Sequence, residues 1–159
     1  MEMKLPFFPP FQEVDMDIPA DRIRIQREDF LVEKEIERIK SVSKKIGGIA
    51  VFLGTAREIS KGRDILKIDF EHYPQMAEKC LAQIRETALE QFDIIDVTLI
   101  HRIGTIEIGQ NIVLIVVGAM HRQEAFNACS WCIDTLKKTV PIWKKETTSK
   151  GEVWVEERP

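Results

Sequence analysis

Three helix-period segments set between short apolar runs restrict this chain to a small set of folds. The second is the clearest: after Pro74, which suits a first helical turn, Met76, Cys80, Ile84 and Ala88 recur at helical spacing. The first begins after Asp29, which suits an N-cap, and runs to about Ile46. Its apolar stripe is Ile36, Ile39 and Ile46, and Gly47-Gly48 ends it. The third is expected from about Arg122 to Lys138, where Pro141 enforces a stop or a bend.

Strand-like runs lie between these segments. Residues 22–26 alternate Ile23 and Ile25 with polar neighbours, and residues 49–53 form a short apolar run closed by Gly54. A polar loop, 55–64, leads to residues 65–72, with Leu66, Ile68 and Phe70 on one face. Residues 94–103 and 111–117 follow, separated by turn-like Gly104 and Gly109. Residues 143–159 read as a polar tail anchored by Trp154 and Val155. The order is strand, helix, two strands, helix, two strands, helix. It implies an α+β domain with a mostly antiparallel sheet and about three helices, and a ferredoxin-like sandwich fits much of it.

A chain of 159 residues has room for one sizeable core, so residues 21–159 are expected to form a single domain. Residues 1–20 hold Pro6, Pro9, Pro10 and Pro19 among Phe7, Phe8 and Phe11. They read as an extended arm that packs on the domain or on a partner. No apolar run approaches the roughly 20 residues that span a bilayer, and no secretion signal is legible at the start. Three cysteines do not make a disulfide framework, so a reducing cytoplasm is the expected location.

A net charge of −3 argues against general affinity for nucleic acid or anionic membrane. Yet Lys137, Lys138, Lys144 and Lys145 fall close together, after His121 and Arg122. That cluster fits a discrete anionic ligand, or else a solvated charged face. His121-Arg122 stands at an expected strand-to-helix junction, where free amides favour an anion; pairing with Glu124 is the structural alternative. Lys137 flanks the third helix's apolar stripe. A cation suits a helix C-terminus, but a partly buried lysine among other cations can also act as base or nucleophile. Lys144 lies beyond the bend at Pro141, which can return it to the same pocket. Arg57 follows a strand and a glycine, and its guanidinium suits phosphate, although no P-loop pattern is present.

Cys129 and Cys132 form a C-x-x-C, but inside an expected helix and without a second pair, so they read as small core residues. His72, His101 and His121 give no local ligand motif, and His72 and His101 read as structural. No metal site is expected.

Several stretches, in order, resemble the molybdopterin synthase large-subunit family. They are Val51-Phe52-Leu53-Gly54-Thr55-Ala56-Arg57, Phe70-Glu71-His72-Tyr73-Pro74-Gln75-Met76 and Ile100-His101-Arg102-Ile103-Gly104. His121-Arg122-Gln123-Glu124-Ala125-Phe126, Leu136-Lys137, Pro141-Ile142-Trp143-Lys144-Lys145-Glu146 and Trp154-Val155-Glu156 continue the set. The match runs from about Ile23 to the end, and the arm before Pro19 lies outside it.

The resemblance implies an α/β-hammerhead-like fold and a definite reaction. Sulfur would pass from the C-terminal thiocarboxylate of a small ubiquitin-like partner ending in Gly-Gly to a cyclic pyranopterin monophosphate, forming the dithiolene of molybdopterin. It implies a homodimer of large subunits within a heterotetramer, and no cofactor. Lys137 would be the leading catalytic residue, as base or nucleophile, and Lys144 the second. Thr55, Ala56, Arg57, His121, Arg122, Lys144, Lys145 and Glu146 would line the precursor or its phosphate. Phe52, Ile133 and Arg158 would support the pocket, and the family's familiar residue at position 133 is methionine. From the residues alone, a non-enzymatic ferredoxin-like ligand-binding module and a phosphate-ester enzyme using His121 and Arg122 also remain open.

Overall fold

The computed structural model describes Pro19 and residues 21–155; the arm expected over 1–20 otherwise lies outside the described residues, as does Arg158. Strands β1 (Ile23–Gln26), β5 (Asp96–Arg102), β7 (Asn111–Ala119) and β2 (Gly48–Thr55) form one sheet in that order. β1 runs parallel to β5, and the other two pairings are antiparallel. Helices α2 (Pro74–Gln91) and α3 (Arg122–Thr139) cover one face, and α1 (Val32–Lys40) covers the other.

Coverage on both faces explains the unbroken apolar run of β7. Val113, Ile115 and Val117 pack beneath α2 and α3, whereas Leu114 and Val116 pack against Ile39 and Phe30 on the α1 side. The expected ferredoxin-like sandwich, with helices on one face only, is therefore not what forms. The mostly antiparallel α+β class and the three helices are observed.

A second sheet carries β3 (Ile59–Ser60), β4 (Arg63–His72), β8 (Ile142–Thr148) and β9 (Gly151–Val155), with β6 (Gly104–Glu107) also paired to β4. Its inner face buries Ile65, Ile68, Phe70 and Ile106. Gly109, at φ +86, makes the turn expected of it after β6, whereas Gly104, at φ +81, is the first residue of that strand.

Four local expectations need correction. The first helix is short: Leu31, not Asp29, occupies the N-cap, because the Asp29 carboxylate accepts from the Phe30 amide at 2.8 Å and from Asn111 at 3.0 Å. It stops at Lys40, where the Ser41 hydroxyl bonds the Arg38 carbonyl and Ser43 takes the Lys45 amide, so the serines replace helical bonds. On β4, a register shift between Ile65 and Lys67 turns Ile65 inward at 3% exposure and leaves Leu66 outside at 56%. On α2, Met76 is exposed while Ala77 and Leu81 join Cys80, Ile84 and Ala88 in the core.

The remaining correction is the largest. The supposed polar tail is the hairpin of β8 and β9, turning at Ser149-Lys150, with Thr148 opposite Gly151. β8 alternates as a strand should, but its inward positions are Lys144, Glu146 and Thr148 rather than apolar residues. Lys144 and Glu146 face a cleft, not a core, and Thr148 serves the hairpin turn.

Candidate active site

The two sheets and the end of α3 enclose a cleft of about 420 Å³. β2 contributes Phe52, Gly54 and Thr55, with Arg57 just beyond it, and α3 contributes Ile133, Leu136 and Lys137. Lys144 and Glu146 enter from β8, Ile68 and Phe70 from β4, and His101 from β5. Gly54 is needed here for space: a Cβ would come within 2.6 Å of a Val113 methyl.

Lys137 and Lys144 reach this cleft from different elements, as the bend at Pro141 allowed. Lys137 sits in the last turn of α3, where the helix carbonyls favour a cation, and its side chain is exposed rather than partly buried. It makes no ion pair among those found in the described residues. Lys144 is more enclosed, at 19% side-chain exposure, and its Nζ lies 3.8 Å from Glu146 Oε2. Glu146 is 1% exposed, and its other oxygen accepts from Arg63 at 3.3 Å. A buried carboxylate needs such compensation.

The other expected residues divide by geometry. Phe52, Thr55, Arg57, Ile133 and Glu146 line the cleft with the two lysines. Ala56 is buried with Ile68 and Ile106, and its backbone is paired at both ends, to Gln110 and Gly109; it holds its neighbours in place. Lys145 follows the strand alternation to the opposite face. There it lies 5.5 Å over the Trp154 ring and 3.6 Å from Glu152.

His121 and Arg122 stand at the N-terminus of α3, beside a separate hollow shared with Gly47, Met120 and Gln123. Lys137 is at the helix's other end, roughly 22 Å away at the α-helical rise. Within one chain these groups do not meet. Glu124 does not hold His121 either, since its carboxylate accepts from the Asp93 amide at 3.4 Å.

His101, which the sequence read as structural, lines the cleft, and Arg63, which the sequence did not single out, pairs with the cleft's Glu146. Arg63 was legible only as a loop cation, because the strand that pairs it with Glu146 begins earlier than its apolar residues do. His101 Nδ1 lies 2.6 Å from the Arg102 carbonyl, and its ring meets Phe70 edge-on with centroids 5.1 Å apart. Burial lowers its pKa to about 4, despite that hydrogen bond, so the ring is neutral.

The cysteines behave as core residues. Cys80, Cys129 and Cys132 are free and buried. Burial pushes the Cys129 thiol up to about 11 and raises that of Cys132 as well, which disfavours the nucleophilic thiolate. Among the described residues, no helix is long and apolar enough to cross a membrane.

This α+β scaffold is also found among known proteins. Residues 25–139 match the family model described as MoaE protein, and the chain belongs to that family. Molybdopterin synthase catalytic subunits are its curated relatives. That of Pyrococcus abyssi is 47% identical over 81% of this chain and 86% of its own. That of Ralstonia nicotianae is 43% identical over 86% and 77%. The crystal structure of molybdopterin synthase from Staphylococcus aureus superposes with a TM-score of 0.77 at 36% identity, covering 82% of this chain and 94% of that one. This is therefore an enzyme family of the sulfurtransferase type, acting in molybdenum cofactor biosynthesis. A complex of subunits 1 and 2 of molybdopterin-converting factor from Helicobacter pylori shares the fold, with a TM-score of 0.69 at 20% identity.

Proposed function

We propose that the lysine cleft is where sulfur passes from the C-terminal thiocarboxylate of a small, Gly-Gly-ended partner to cyclic pyranopterin monophosphate. The observation that carries this reading is the convergence of Lys137 and Lys144 on one cleft, from α3 and β8. Glu146, 3.8 Å away, balances the Lys144 ammonium without hydrogen-bonding it, which leaves that ammonium able to hold and polarise the acyl oxygen of the thiocarboxylate. Lys137, exposed at the rim, is the group free to act as base or nucleophile. The thiocarboxylate sulfur bonds to a precursor carbon as a carbon–oxygen bond there breaks, the oxygen leaving as water or with the opened phosphate. A further water then cleaves the acyl–sulfur bond, leaving sulfur on the precursor and a carboxylate on the partner. Two such rounds supply a dithiolene.

The partner reading is supported by the two-subunit complex from Helicobacter pylori, which shares this fold. A dimer of this chain within a heterotetramer also answers the separation inside α3. His121 and Arg122 of a second copy could serve the first copy's cleft as phosphate ligands, at a helix N-terminus suited to anions. Arg57 would bind the same anionic group from its own chain. Arg158 remains a supporting candidate by resemblance alone. The surroundings proposed for the reaction are cytoplasmic.

The test mixes this protein with thiocarboxylated partner and cyclic precursor and assays dithiolene product. Product that disappears in Lys137→Ala supports the reading; no product from folded, partner-bound wild type removes it. Co-assembly of Lys137→Ala with Arg122→Ala chains tests sharing between copies. Recovery of activity in the mixed dimer is expected only if each cleft draws on both chains.

A further inference from the structure

The lysine cleft is not wholly cationic. Glu146, 1% exposed, lines it, and among the described residues its Oε2 accepts no hydrogen bond; Lys144 at 3.8 Å balances the charge without occupying those lone pairs. His101 lines the same cleft from the other sheet. A carbonyl cannot donate, so the 2.6 Å contact with Arg102 places the proton on Nδ1 and leaves Nε2 of the neutral ring as an acceptor.

Neither acceptor suits an anion. A thiocarboxylate or a phosphate is served by Arg57, Lys137 and Lys144, and a buried carboxylate repels both. What a carboxylate oxygen and an imidazole nitrogen take is an N–H donor. A reduced pterin ring presents several, on its amino group and its ring nitrogens, while its phosphate is remote from that edge. We propose that Glu146 and His101 form an acceptor wall that binds the N–H edge of the substrate's reduced pterin ring and so sets which end of the substrate faces the lysines. This rests on the substrate reading above.

The experiment is titration calorimetry on the full chain with two separate probes: a tetrahydropterin lacking phosphate, and inorganic phosphate. Glu146→Gln and His101→Phe should each weaken tetrahydropterin binding about tenfold or more, the loss expected for one hydrogen bond to a buried acceptor. Phosphate binding should hold or tighten in Glu146→Gln, because a negative charge is gone. His101→Gln, whose amide oxygen still accepts, should recover most of the tetrahydropterin affinity. Glu146→Asp serves if Glu146→Gln does not fold. The inference is overturned if tetrahydropterin does not bind the wild type, if the variants bind it unchanged, or if phosphate affinity falls in parallel. Absence of precursor conversion together with variant-sensitive tetrahydropterin binding would instead remove the sulfur-transfer reading and keep the acceptor wall.

Discussion

Lys144 and Glu146 lie two residues apart on β8 and point into one cleft, 3.8 Å apart, while Lys145 between them points out to Trp154. The alternation of a strand thus puts adjacent lysines on opposite faces of the sheet. Lys144→Ala should abolish most sulfur transfer, and Lys145→Ala should leave turnover near wild type. The loss of the exposed Lys145–Glu152 pair costs less than about 1 kcal/mol. Single-turnover assays on both variants check this, and equal losses would contradict it.

His101 should make the fold acid-sensitive. Its folded pKa, about 4, lies below the 6.5 of the unfolded chain, mainly through burial, with nearby His72 adding to the effect. As pH falls from 6.5 to 4, the unfolded chain takes a proton that the folded one refuses. Stability therefore drops across that window, by up to roughly 3 kcal/mol from this group. Denaturant titrations of wild type and His101→Gln between pH 7 and 4 should show a shallower decline in the variant.

A buried ion triad ties the first sheet to α2. Asp96 accepts from Arg22 at 2.7 Å and from Arg85 at 2.6 Å, and also from the Val97 amide at 2.8 Å. Asp96→Ala strands two buried arginines and should cost about 3–5 kcal/mol. Chemical denaturation measures it. A loss under about 1 kcal/mol would mean that water replaces the carboxylate at no great penalty.

No sulfur should pass through this chain's own thiols. Cys129→Ala and Cys132→Ala should keep precursor conversion, at a stability cost of roughly 1 kcal/mol each for a small buried side chain. Native protein should react slowly with a thiol reagent at pH 8, since burial keeps both thiols protonated. Rapid labelling of either would contradict the account.

The core was legible because periodicity there reports burial. Ile23, Ile39, Ile84 and Val117 fall where their spacing puts them. The site was less so, for the same reason. On β8 the inward positions are charged because they line a cleft, so the pattern that reveals a strand was hidden by the residues of functional interest. On β4 the bulge exchanged Leu66 for Ile65, which no period-2 count foresees. Lys137 and Lys144 could be brought together only by the resemblance and the bend at Pro141. The 18-residue length of α3 shows what neither supplied, that His121 and Arg122 stand far from both.

The most direct test of sulfur transfer at this cleft is single-turnover conversion of cyclic precursor by the Lys137→Ala protein with thiocarboxylated partner bound. Near-complete loss of dithiolene product, with unfolding midpoint and partner affinity close to wild type, is the expected result. Product formed at the wild-type rate would contradict the account.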